Sequence, residues 1–214
     1  MKPLTETGYI HQLVAEGEHV RQDFKFEISD ARKIARSLSA FANTNGGRLL
    51  IGVKDNGKIA GIRSEEEAYM IEAAAGMYCV PAVEFTLQKF HVEGRSILLA
   101  EVKESETKPI CAKDESGKPL AYIRIKDENI LASTVHLEVW KQSGAPKGSL
   151  VEFTSREQLL LDSFNRQESL SLNRICRTTK LPRRIAESLL AKFIRFDILE
   201  PVFAGHKFVF RLRR

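Results

Sequence analysis

The sequence predicts an α+β fold, a mixed sheet with flanking helices, followed by a small second domain of helices and a hairpin. Apolar residues recur at helical spacing over 30–41 and again over 182–195. Between them, short apolar runs closed by glycine turns (48–53, 83–92 and 96–102) read as strands. The stretch Lys141-Gln142-Ser143-Gly144-Ala145-Pro146-Lys147-Gly148-Ser149 has the small, polar and helix-breaking residues of a linker. The expected organisation is therefore a first domain over 1–140, a linker over 141–151 and a second domain over 152–214.

In the first domain Asp30 stands where an N-cap belongs, its carboxylate able to accept from the unpaired amides of a first helical turn. Ile34, Leu38 and Phe41 then share one face, with Arg32, Lys33 and Arg36 on others. Asn45-Gly46-Gly47 supplies the left-handed backbone that ends such a helix. Residues 48–53 follow as a nearly continuous apolar strand, and Asp55-Asn56-Gly57 is a hairpin signal leading into 58–62. Ser64 and Glu67 have the spacing of a capping box for a helix over about 65–76. After Pro81 come two strands turning at Glu93-Gly94, and 122–125 is a further strand.

The second domain has a different texture. Thr154 or Ser155 caps a helix expected to turn Leu159, Leu160 and Phe164 inward, and Ser171 starts a second with Leu172, Ile175 and Cys176. The turn Thr178-Thr179-Lys180-Leu181 leads to Pro182 at the first position of a third helix, whose core face is Ile185, Leu189, Leu190, Phe193 and Ile194. Pro201-Val202-Phe203 and Lys207-Phe208-Val209-Phe210, joined by Ala204-Gly205-His206, form a hairpin. Three helices followed by a hairpin is the order of a winged helix-turn-helix.

With 43% hydrophobic and 29% charged residues the chain reads as a folded, soluble protein. No apolar run approaches the roughly 18–20 residues of a membrane span, and the N-terminus lacks the pattern of a signal peptide. A cytoplasmic setting without a membrane partner is the expectation. Cys79, Cys111 and Cys176 are far apart and lack metal-ligand spacing, so they read as reduced core residues. The histidines at 11, 19, 91, 136 and 206 are scattered, with neither metal spacing nor a triad-like context.

Charge is distributed unevenly. From residue 151 onward there are 13 Lys/Arg against 7 Asp/Glu, a net +6, whereas residues 1–150 carry −1. That asymmetry points to a polyanion-facing surface in the second domain. On the third helix the side away from the core carries Arg183, Arg184, Glu187, Ser188, Lys192 and Arg195, its N-terminal residues placed deepest in a major groove. Arg183 and Arg184 suit either guanine edges or phosphates. Lys207, Arg211, Arg213 and Arg214 on the hairpin and tail suit backbone phosphates, and Arg174 and Arg177 add to them from the second helix.

In the first domain one set of motifs stands out: Glu18-His19-Val20-Arg21-Gln22-Asp23-Phe24-Lys25, then Ala40–Asn45 with Gly46-Gly47, then Ile51-Gly52-Val53 with Asp55, Gly57 and Gly61. Lys108-Pro109 and Tyr122-Ile123-Arg124 extend it more weakly. As a set these residues, over roughly 8–130, resemble the AlbA_2 domain found at the core of Schlafen proteins. The resemblance implies work on nucleic acid, by binding it or, in some relatives, by metal-dependent RNA cleavage. Carried over residue by residue, it makes Glu18, Asp23 and Asp55 a three-carboxylate site for Mg²⁺ or Mn²⁺. Asp23 stands where a glutamate is usual, and Lys54 stands beside Asp55 where many relatives have another acid. For a binding role in the same domain, Lys25, Arg48 and Lys54 are the expected phosphate contacts.

Gly52-Val53-Lys54-Asp55-Asn56-Gly57-Lys58 also fits the opening of a P-loop, but Ile59 takes the place of the required Ser/Thr and strand residues follow instead of a helix. ATPase function is not expected. The leading expectation is a cofactor-free, DNA-binding transcriptional regulator, with a homodimer favoured by symmetric DNA sites. RNA binding, a metal-dependent endoribonuclease and a protein-interaction adaptor are the alternatives.

Overall fold

The computed structural model describes residues 5–144, 153–165 and 167–213. Most of the expected linker and Arg214 lie outside these residues. The chain divides into two compact units, Met1–Leu131 and Ala132–Arg214. Among the described residues no helix is long and apolar enough to cross a membrane.

The first unit is α+β. Its first sheet has the order β1-β2-β5-β4, formed by Gln22–Lys25 (β1), Gly47–Ile51 (β2), Arg95–Val102 (β5) and Phe85–Val92 (β4). β1 and β2 run parallel and the other pairs antiparallel, so the sheet is mixed. The second sheet, β3-β6-β7-β8, comprises Cys79–Val80 (β3), Cys111–Lys113 (β6), Pro119–Ile125 (β7) and Glu128–Leu131 (β8).

Strand alternation sorts the first sheet into two cores. Leu49, Ile51, Leu98, Ala100 and Val102 face the helix Ala31–Asn43 (α2), whose Ile34, Leu38 and Phe41 are buried with them. Leu50, Leu99, Ile97 and Phe24 point the other way, onto Ile10 and Leu13 of the helix Glu6–Glu16 (α1). As expected, Asp30 caps α2 by accepting from the Arg32 amide at 2.9 Å.

α2 also ties the two sheets together. Asn43, 5% exposed, donates to the carbonyls of Ile110 (2.7 Å) and Tyr122 (2.9 Å) and accepts the Ile110 amide (2.8 Å). One residue on, the Thr44 hydroxyl accepts the Arg124 amide at 2.9 Å, which fixes the strand that carries Arg124. At Gly47 a Cβ would fall 2.3 Å from the Phe41 ring, so only glycine lets the start of β2 approach α2 this closely.

Two local expectations are corrected. The helix after Ser64 is shorter, Glu66–Ala73 (α3), followed by a π-helical turn over Ala74–Tyr78. Its capping is also not reciprocal: Ser64 Oγ accepts the Glu66 amide, but Glu67 accepts from Arg63 rather than from Ser64.

The second unit opens with the helix Thr134–Ser143 (α4), then Ser155–Asp162 (α5), Leu170–Ser171 (β9), Leu172–Thr179 (α6), Arg183–Arg195 (α7), Leu199–Ala204 (β10) and Lys207–Leu212 (β11). β11 sits between β10 and β9, and the hairpin pairs Leu199 with Leu212. Thr154 and Ser171 cap α5 and α6 through their hydroxyls. Pro182 is the N-cap of α7 rather than its first residue. The core gathers Leu160, Phe164, Ile175, Leu190, Phe193 and Phe210. Leu159, expected inside, is 43% exposed. α4 falls within this unit, packed on α7, whereas the linker reading had placed residues up to 140 with the first domain.

Candidate nucleic-acid interface

Residues two apart on a strand share a side, and so the Lys25 ammonium lies 2.8 Å from Asp23 Oδ2. Ser37 from α2 donates to the same oxygen at 3.3 Å, and Arg124 from β7 lies 3.2 Å from Oδ1. Asp23 and Arg124 are each 3% exposed, so both charges are buried as partners. The Arg124 guanidinium is held further by Asn129 Oδ1 (2.9 Å) and the Gln22 carbonyl (3.2 Å), and it stacks 5.2 Å over the Phe41 ring.

Glu18 completes this cluster. Its carboxylate accepts the Phe24 amide at 2.9 Å and lies beside that of Asp23. Burial, reinforced by the neighbouring Asp23 carboxyl, pushes the Glu18 carboxyl above its ordinary range. Burial would raise Asp23 too, but Lys25, Glu18 and Arg124 outweigh it and hold that carboxyl below its usual value. A proton taken up by the pair therefore goes to Glu18.

The structure brings Glu18 and Asp23 together, whereas Asp55 lies on the exposed turn after β2. Among the described residues no three His, Cys, Asp or Glu are placed to hold a metal ion. The donor set does not suit a divalent cation, since both oxygens of Asp23 already face a positive side chain. Residues 52–58 form the turn of a small hairpin, closed by a bridge between Val53 and Ile59, and no helix opens behind it.

The three cations expected to meet phosphate in this unit have different fates. Lys25 is tied to Asp23. Arg48 donates to Gln22 Oε1 at 2.6 Å and pairs with Glu16. Lys54 is exposed and forms no carboxylate pair among the described residues; its ammonium sits 4.9 Å from the centroid of the Phe26 ring. Arg63, which the sequence reading passed over, lies 5.6 Å from the same ring. A groove of about 1310 Å³ lies near the start of β2, but Arg21, Arg48 and Lys103 share it with Glu84, Glu101 and Glu104, a mixed field that offers a polyanion nothing.

In the second unit α4 changes the expected reading surface. Gln142 on α4 donates to the carbonyl and hydroxyl oxygens of Ser188, each at 3.2 Å. Thr134 donates to Glu187 at 2.6 Å, and Glu187 also accepts from Arg183 at 3.0 Å. Glu187 and Ser188 therefore face α4 instead of an open groove, a correction to the expected base-reading set. Small residues allow this approach: Ser188 and the fully buried Ala191 lie one turn apart on one side of α7. The signal was present at Ser133, which caps α4 in a capping box with His136.

Other expected contacts are also engaged. Lys192 donates to the buried Glu157 at 2.7 Å, and Arg195 is half-buried on the last turn of α7. Burial would raise the Glu157 carboxyl, but the bonds from Lys192 and Thr154 outweigh it and hold the group down to about 2. Arg211 pairs with Glu200 across the hairpin at 2.6 Å, and Arg213 with Asp197. Lys207 is exposed at the hairpin turn.

Arg174 and Arg177 on α6, Lys180 in the turn and Arg184 at the start of α7 form a basic edge, each exposed and without a carboxylate partner among the described residues. A bond from Arg183 to Asn173 at 2.9 Å draws the two helices together there. Arg174 and Arg177 lie three apart and share a helix face.

The profile of the Schlafen AlbA_2 family matches residues 18–133, more than half of the chain. No curated protein matches it. Among solved structures it is similar to the DIP2311 protein of Corynebacterium diphtheriae, at 17% identity and a TM-score of 0.45, over 73% of this chain and 33% of that one. It is also similar to the N-terminal domain of a protein from Nitrosomonas europaea described as related to the DNA helicase RecG, at 26% identity and a TM-score of 0.42, over 56% of this chain and 87% of that one. The chain thus spans about a third of the length of the first of these structures.

Proposed function

The chain belongs to the Schlafen AlbA_2 family, and from that premise we propose that it is a nucleic-acid-binding protein, acting on DNA as a regulator. In this reading the second unit is a winged helix-turn-helix, and the AlbA_2 domain assists binding or dimerisation. The observation that carries it is the basic edge Arg174, Arg177, Lys180 and Arg184, four exposed cations that no carboxylate of the described residues neutralises. A duplex phosphate backbone offers the complementary charge, and releasing its counterions supplies the driving force. Lys207 at the hairpin tip would reach a flanking phosphate. The helix order and the strand order β10-β11-β9 support the winged-helix reading.

The metal-dependent nuclease reading is weaker, because Asp23 is committed to Lys25 and Arg124 and no three such ligands among the described residues are placed to hold a metal ion. One experiment separates the classes. Purified protein is mixed with labelled duplex DNA and with structured RNA, in Mn²⁺ or in EDTA, and both shift and cleavage are scored over a range of salt. A salt-sensitive DNA shift that survives EDTA is expected. RNA cleavage lost in EDTA and in Asp55→Asn would make the protein an enzyme, and no shift at low salt would make it an adaptor.

A further inference from the structure

Phe26 follows β1 at the edge of the sheet and is 37% exposed. β1 and β2 are parallel, so the residues that follow both strands emerge at one end of the sheet. The amides of Gly52 and Val53 bond to the Lys25 carbonyl at 2.8 and 3.3 Å, which brings Lys54 beside Phe26. The returning limb is drawn in as well, since the Ala60 and Gly61 amides bond to the Gly52 carbonyl at 2.8 and 2.9 Å. Gly52 has φ +93, and a Cβ there would fall 2.8 Å from the Gly61 backbone, so this crossing requires glycine. Arg63 follows, and Lys54 and Arg63 both lie over the Phe26 ring.

Among the described residues Phe26 is the only exposed aromatic with two cations over its ring. Lys54 is paired with no carboxylate there. Arg63 reaches Glu27 at 2.7 Å, yet its side chain is 68% exposed. An aromatic ring and a guanidinium plane are surfaces on which an unpaired base stacks, and the flanking cations suit the phosphates on either side. A duplex hides its base faces, so the arrangement favours a single strand.

We propose that Phe26, Lys54 and Arg63 form a contact site for single-stranded nucleic acid, with one base stacked on the Phe26–Arg63 pair and the adjoining phosphates on Lys54 and Arg63. The site rests on the nucleic-acid-binding reading above and adds strand preference to it. It also gives the AlbA_2 domain a contact of its own, on residues outside the carboxylate cluster.

The test is fluorescence anisotropy with the full chain and a labelled single-stranded DNA of about 15 nucleotides, a length that spans one such site, alongside the matching duplex. Phe26→Ala and Phe26→Leu should each weaken single-strand binding about tenfold, the scale of one lost stack. Neither should change the salt slope or the duplex affinity. Lys54→Ala and Arg63→Ala should each flatten the salt slope by about 0.7. Wild-type affinity in Phe26→Ala, with loss only in Arg177→Ala and Arg184→Ala, overturns this site and leaves the general reading standing. Full affinity in Phe26→Leu with loss in Phe26→Ala overturns stacking, since leucine fills space without a π face. Wild-type protein that binds neither probe at low salt removes both proposals together.

Discussion

The side-chain amide of Gln142 bridges the carbonyl and hydroxyl oxygens of Ser188, each at 3.2 Å. Because Ser188 sits mid-way along α7, this contact places α4 on the side of α7 that a groove reader would present. In the proposed reading, the surface left for nucleic acid therefore shifts from the middle of α7 to its first turn and to α6.

Glu187→Ala and Ser188→Ala should leave duplex affinity within about twofold, while Arg177→Ala and Arg184→Ala each weaken it and lower the salt slope by about 1. Anisotropy titrations at three salt concentrations measure this. Base-dependent losses in Glu187→Ala would show instead that α4 leaves α7 on binding.

Removing the Asp23 carboxylate strands Arg124, and a buried charge without its partner costs about 3–5 kcal/mol. Asp23→Ala should therefore lower the urea midpoint of the first unit sharply. Asp55→Asn, on an exposed turn, should change stability by less than about 0.5 kcal/mol. Equal effects from the two would contradict the different burial of these carboxylates.

The Glu157 carboxyl is held down to about 2 from an ordinary 4.5, chiefly by Lys192 and Thr154 acting against burial. A depressed carboxyl stabilises the fold fully above 4.5 and loses that contribution as pH falls from 4.5 through about 2. The chain has one tryptophan, Trp140 on α4, so its fluorescence reports on the second unit. Glu157→Gln should melt below wild type at pH 7, and the gap should narrow steadily at pH 4 and pH 3. A gap independent of pH would rule out the ionised pair as its cause.

Gly47→Ala places a methyl 2.3 Å from the Phe41 ring, which is fully buried beneath the Arg124 guanidinium. Overpacking of this kind costs about 1–3 kcal/mol. Gly76→Ala meets no atom within 4 Å and is the matched control, expected to be neutral within about 0.5 kcal/mol. Denaturant midpoints for the two variants decide it.

Much of the fold was legible because its signals are local. Asp30, Thr154 and Ser171 cap the helices they precede, and each such bond spans only two or three residues. The hairpin over β10 and β11 was likewise readable from apolar segments around Gly205-His206, whose φ angles are both positive. α4 was missed because its last turn runs into the linker-like stretch, and the breaker residues there outweighed the helical pattern. The first unit's family was legible too, from motifs whose glycines hold positive φ angles or close approaches.

The candidate sites were less legible, and the reason is pairing. The sequence by itself determined which residues carry charge, which of them cap α2, α5 and α6, and that the basic excess lies toward the C-terminus. Only the tertiary structure decided which charges remain available. Arg124 reaches Asp23 from 101 positions along the chain, and Gln142 reaches Ser188 from 46. Such partners are chosen by strand register and helix packing, where a shift of one residue turns a side chain to the opposite face. A cation is free to meet a phosphate only after that choice has been made.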